Sequence, residues 1–232
     1  MAKTTAYSGS LLGLYLNATP IGSVADNTAT TPLTNTYVSL HTGDPGVAGN
    51  QSTNEVSYTG YARVAVARSN GSPQYTITNN QAVNLALISF AKATGVADNS
   101  TALFWGVGDA SSGNGVLRYS GPLATLLGPG TAESADNTIR FGLNAVSAVT
   151  VGQKILFISS PNGVTPGGVA TNTVYYVKTV SGDQLTISAT SGGATLTITS
   201  DGAGYWAIAS TLQITQNVQP QIAASTLVIT EN

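Results

Sequence analysis

Apolar and polar residues alternate in short runs along most of the chain. Over 36–41, Tyr37, Ser39 and His41 fall on one side and Val38 and Leu40 on the other, the period of two of a half-buried strand. Residues 55–68, EVSYTGYARVAVAR, read as one long strand or a strand pair kinked at Gly60. In its second half, Val64 and Val66 oppose Arg63, Ala65 and Ala67. Shorter strands are expected at 75–78, 86–90 and 103–107, followed by a hairpin-like pair, 116–119 and 123–127, around Gly121-Pro122. Residues 8–17 read as a short helix capped by Ser8 or Ser10. The polar, turn-rich stretch 18–35 reads as a loop, and residues 1–35 together as an N-terminal arm. Asp44-Pro45-Gly46, Gly49-Asn50 and Asn70-Gly71 punctuate the strands as turns.

After Gly128-Pro129-Gly130 the pattern restarts. Six short runs follow at 138–143, 154–159, 173–179, 184–189, 195–199 and 205–209, with Gly-rich turns between them. This density predicts a small β-barrel or β-roll. The expected fold is all-β: a β-sandwich or jelly-roll-like parent domain over 1–131 and 209–232, interrupted by an inserted module at 132–208. The strands 212–215 and 226–230 then close the parent domain.

Composition agrees with strands and turns. Only 8% of residues are charged, against about 25% in an average soluble domain. Ser and Thr make nearly a quarter of the chain, and glycines number 26. The net charge of −2 comes with no basic cluster, so nucleic acid is not an expected partner. No apolar run is long enough to span a membrane, and no membrane partner is expected. There is no cysteine, which removes disulfides and thiolate metal sites. The N-terminus lacks the pattern of a signal peptide, so synthesis in a cytoplasm is expected.

Candidate chemistry is sparse. His41 is the single histidine, with Asp44 three residues on, but no nucleophile elbow accompanies it. A packed strand-end histidine is the simpler expectation. Asp98, Asp109, Asp136, Asp183 and Asp201 lie in turns, where carboxylates cap backbone N–H groups. The Asp-x-Asp-x-Asp spacing of a calcium loop is absent, and residues 106–113 lack the Gly-Lys-Thr end of a phosphate loop. No catalytic, metal or cofactor residue is expected, and the chain is not expected to be an enzyme. Arg63 and Arg68 are candidate interface residues, since Arg is enriched where proteins meet.

One segment is more specific. Leu40, His41, Thr42, Asp44, Pro45, Gly46 and Gly49 carry the pattern L-H-T-x-D-P-G-x-x-G. Glu55, Val56, Tyr58, Gly60, Tyr61, Ala62 and Arg63 then carry E-V-x-Y-x-G-Y-A-R. These motifs resemble a family of small tailed-bacteriophage virion proteins, labelled tail fibre-like or capsid decoration (cement) proteins. Weaker similarities lie at 105–113, at 121–127 and in the ending, Gln219-Pro220-Gln221 and 224–231. The resemblance covers roughly 10–128 and 210–232. The inserted stretch is similar to a phage-borne module through Val151-Gly152-Gln153, residues 173–177 and Gly192-Gly193-Ala194.

The resemblance implies a virion structural role. The expected function is capsid decoration: a homo-oligomer, a trimer rather than a dimer, on the capsid exterior, bridging the major capsid protein. The alternative is a tail fibre or baseplate adhesin that binds a host receptor through the insert. A polysaccharide-degrading enzyme is a third class. Tyr58 and Tyr61 join the two arginines as candidate interface residues. Tyr175, Tyr176, Tyr205 and Trp206 are the candidate insert surface: exposed together in an adhesin, buried in a cement protein.

Overall fold

The computed structural model describes residues 4–22, 25, 31–159 and 164–231. They form two compact units. One is Met1–Gly121 with Leu212–Asn232, and the other is Pro122–Thr211.

The first unit opens with helix α1 (Thr5–Asn17), which starts ahead of both serines expected to cap it. Thr4 is the cap, and its side chain accepts a hydrogen bond from Tyr7 N–H. Leu12 and Leu16 are fully buried. The N-terminal segment is therefore not an arm throughout: 5–17 is a helix anchored by its apolar face. Residues 1–3, 23–24 and 26–30 of the expected arm lie outside the described residues.

The strands that follow are β1 (Asn35–His41), β2 (Val64–Ala67), β3 (Tyr75–Thr78), β4 (Gln81–Asn84), β5 (Ile88–Ser89), β6 (Asn99–Ala102), β7 (Phe104–Gly108) and β8 (Leu117–Pro122). The second unit holds β9 (Ala124–Glu133), β10 (Thr138–Phe141), β11 (Lys154–Ser159), β12 (Val174–Ser181), β13 (Gln184–Ser188) and β14 (Gly202–Ala209). The chain returns to the first unit with β15 (Leu212–Thr215), β16 (Gln221–Ile222) and β17 (Val228–Thr230).

The protein is all-β apart from α1. Expected as a sandwich or jelly-roll-like domain, the first unit is built from one four-stranded sheet, β2-β1-β7-β8, one three-stranded sheet, β17-β4-β3, and the pairs β15-β6 and β16-β5. The second unit is a closed barrel of order β10-β13-β12-β11-β14-β9. Closure leaves it no open edge, and Ile139, Ile155, Phe157, Leu185, Ile187 and Trp206 fill its centre at 0% exposure.

Several expectations change. The strand expected over 55–68 is only β2; the residues before it are irregular apart from a turn at 59–60 and one isolated bridge from Glu55 to His41. The hairpin expected around Gly121-Pro122 does not form. Instead, β9 pairs with β10 and, over eight registered positions from Ala124 to Ala132, with β14. The expected module edges, 132 and 208, therefore fall inside barrel strands, and the unit runs from Pro122 to Thr211. Residues 195–199 contribute one bridge rather than a strand. The closing strands do not pair with each other: β15 lies on β6 and β17 on β4.

Candidate functional site

The first motif ends β1 and the second begins in the turn beside it, so the sheet brings them together. His41 is fully buried. Its Nδ1 lies 2.8 Å from the Thr53 carbonyl, which can only accept, so Nδ1 carries the proton. Nε2, 2.8 Å from Ser39 Oγ, then accepts from the hydroxyl. Burial pushes the imidazole pKa below its ordinary value, against smaller opposing contributions led by the Thr53 hydrogen bond. The ring is neutral and fixed. Ser39 and His41 have the contact distance of a nucleophile and its base, but both have 0% exposure and a backbone carbonyl takes the place of the orienting carboxylate. Asp44 serves the turn instead, accepting from Gly46 N–H at 2.9 Å.

Arg63 carries the second motif's chemistry. Nε donates to Glu55 Oε1 at 2.7 Å and Nη2 to Glu55 Oε2 at 2.8 Å, a fork-on-fork pair. Nη1 donates to the Ala110 carbonyl at 3.0 Å and Nη2 to the Gly113 carbonyl at 2.7 Å. The same carboxylate accepts from Tyr61 Oη at 2.9 Å, and that hydroxyl accepts from Leu40 N–H. Tyr61 stacks on Phe90 and meets Tyr58 edge-on. Burial raises the pKa of both phenols, Tyr58 to about 12 and Tyr61 further. Tyr58 Oη donates to the Ala91 carbonyl.

The motif is thus an internal latch. It ties the 42–60 segment to β1 and to the 109–116 turn, and its members are satisfied by one another. Sequence reasoning missed Gln51, which is fully buried. Gln51 Oε1 accepts from Ala110 N–H, and Gly108 leaves it room: a Cβ there would stand 2.2 Å from Gln51 Cδ. Close-set glycines facing one polar residue were the available signal.

None of the four candidate interface residues is held out to solvent. Arg63 and Tyr58 are buried and Tyr61 is half-buried. Arg68, also half-buried, donates to the carbonyls of Leu14, Tyr15 and Leu33, closing the C-terminal half of α1 onto the strand.

The candidate insert surface also divides. Trp206 and Tyr175 are in the barrel core; Trp206 meets Phe157 edge-on, and Tyr175 Oη accepts from Ala170 N–H. Tyr205 is 39% exposed and Tyr176 half-buried. On β11 they register against Ser159 and Lys154, five positions apart, or roughly 17 Å along a strand. They do not form one aromatic patch.

The turn aspartates accept backbone N–H bonds: Asp98 from Thr59 and Gly95, Asp109 from Val116, Asp136 from Thr138, Asp183 from Asn144 and Asp201 from Ser134. Among the described residues, no group of three or more His, Cys, Asp and Glu side chains is placed to hold a metal ion. No helix among them is long and apolar enough to cross a membrane.

A family model described as podophage GP4 fiber I protein gp80 matches residues 14–147. The matched span contains the latch, both arginines and the first two barrel strands. No curated protein matches the chain.

Proposed function

Because this chain belongs to the podophage GP4 fiber I protein gp80 family, we propose that it is a structural component of a phage tail fibre or its attachment region. Membership makes it a phage structural protein, and the family description supports the fibre reading over the capsid decoration expected from the motifs alone. The observation that carries the reading is the family match over the whole latch-bearing segment.

The role is mechanical rather than enzymatic. Its support is the latch, which spends the motif's charged and polar groups on holding loops, and the Ser39–His41 pair, which is closed to substrate. Copies of the chain associate with one another, three-fold in preference to two-fold, and with other virion proteins. Many weak contacts repeated by symmetry then give avidity. The barrel is the part offered to a host receptor. A receptor contact would use residues outside its core, Tyr205 among them.

Gold-labelled antibody against the purified protein tests this on intact virions. Label confined to the tail is expected; label spread over the head would overturn the fibre reading and restore decoration.

A further inference from the structure

The two flanking arginines are turned inward, and among the described residues the strand between them is where bonding capacity is left open. The bond from Arg68 N–H to the Thr34 carbonyl, at 2.9 Å, continues the β1–β2 register. It fixes the parity of the ladder. Val66 and Val64 face Thr36 and Val38 in hydrogen-bonded pairs, so the N–H and C=O groups of Ala65 and Ala67 point away from β1. β2 is the terminal strand of its sheet.

Apart from being kept short, as the four-residue β2 is, edges of this kind are ordinarily guarded by Lys, Pro, a bulge or an inward-pointing charge. The sequence Val64-Ala-Val-Ala67 supplies none of these. Arg63 is spent on Glu55, and Arg68 on three carbonyls of its own unit. A cleft of about 330 Å³ lies along β2, with Gln74, Asn84, Ala86, Leu87 and Ile88 completing its wall. Leu87 is 51% exposed, and no ionisable side chain lines the cleft.

We propose that this cleft takes up an uncharged, extended segment of a neighbouring virion protein as a fifth strand beside β2. The open groups are N–H and C=O pairs on alternate residues, which an extended backbone satisfies and a helix does not. A charged segment would lose its water with no counter-charge in the cleft. Asn84, Ala86, Leu87 and Ile88 line the cleft together with β2, so the space suits a single segment rather than the edge of a second copy's sheet. The partner's identity rests on the virion reading above. The edge itself is tested on the purified chain, so failure here leaves the location of the protein in the virion undecided by this result.

The probe is an acetylated and amidated pentapeptide of alternating Thr and Val. The readout is amide hydrogen exchange at Ala65 and Ala67, followed by NMR on the full chain. Exchange at both amides is expected to slow at least about tenfold with millimolar peptide. It should stay unchanged with the same peptide N-methylated at the amides that face the edge. Slowing by both peptides, or by neither, would overturn the proposal. So would protection that is already present in the free protein and is lost on dilution, because a second copy would then own the edge.

Discussion

Arg63 and Glu55 form a two-pronged ion pair inside the first unit, with 2% of the arginine side chain and 16% of the glutamate side chain exposed. The remaining guanidinium donors close on the 110 and 113 carbonyls. Removing one partner strands a buried charge, which costs about 3–5 kcal/mol. Arg63→Ala and Glu55→Ala are each expected to lower the urea midpoint sharply. The double variant should cost less than the sum of the two, and a double-mutant cycle measures the difference.

A methyl group at Gly106 would stand 2.5 Å from His41 Nε2 and 2.7 Å from Ser39 Oγ. All three groups are anchored on adjacent strands and cannot give way. Gly106→Ala is therefore expected to destabilise by about 1–3 kcal/mol. Gly71→Ala, which has open space around it, serves as the control in the same thermal melt.

His41 gives the stability a pH dependence. Its folded pKa lies below the ordinary 6.5, with burial the leading cause. On acidification the unfolded chain takes up the proton first, so unfolding gains. The stability that the neutral ring contributes is complete above about pH 6.5 and declines as pH falls towards the folded value. The urea midpoint should hold above about pH 6.5 and drop as the pH falls below it. In His41→Gln the midpoint should be lower throughout, and that part of the slope should vanish.

The barrel's edges are also testable. We expect deletion of 122–211, with Gly121 joined to Leu212 through a short flexible linker, to leave the first unit folded. Deletion of 132–208 would leave 124–131 without the β14 and β10 partners that hold it. That product should be less soluble. Circular dichroism and sedimentation distinguish the two. Equal behaviour of both deletions would contradict the placement of β9 in the barrel.

Strands with large alternating side chains were legible in the sequence: β1, β3, β11 and β13 lie within a residue of where periodicity puts them. Two of the missed strands, β4 and β6, read Q-A-V-N and N-S-T-A, too polar or small to show a period. Gly128-Pro129-Gly130 reads as a break after the strand expected at 123–127, yet it lies inside β9. Gly130 is there for a packing reason: a Cβ would meet Phe141 Cε1 at 2.9 Å and Trp206 Cδ1 at 3.0 Å. The motif was visible as a pattern, but its role was not. Alternation alone placed Arg63 on a strand face, whereas its partners come from residues 8 and 47 or more positions away. No local pattern encodes such a contact.

The number of copies in a purified virion, counted by quantitative mass spectrometry against the major capsid protein, tests the fibre assignment most directly. A fibre-type component is present in a few to a few dozen copies, set by the low-order symmetry of a tail. Hundreds of copies, matching the lattice of a head, would contradict the assignment.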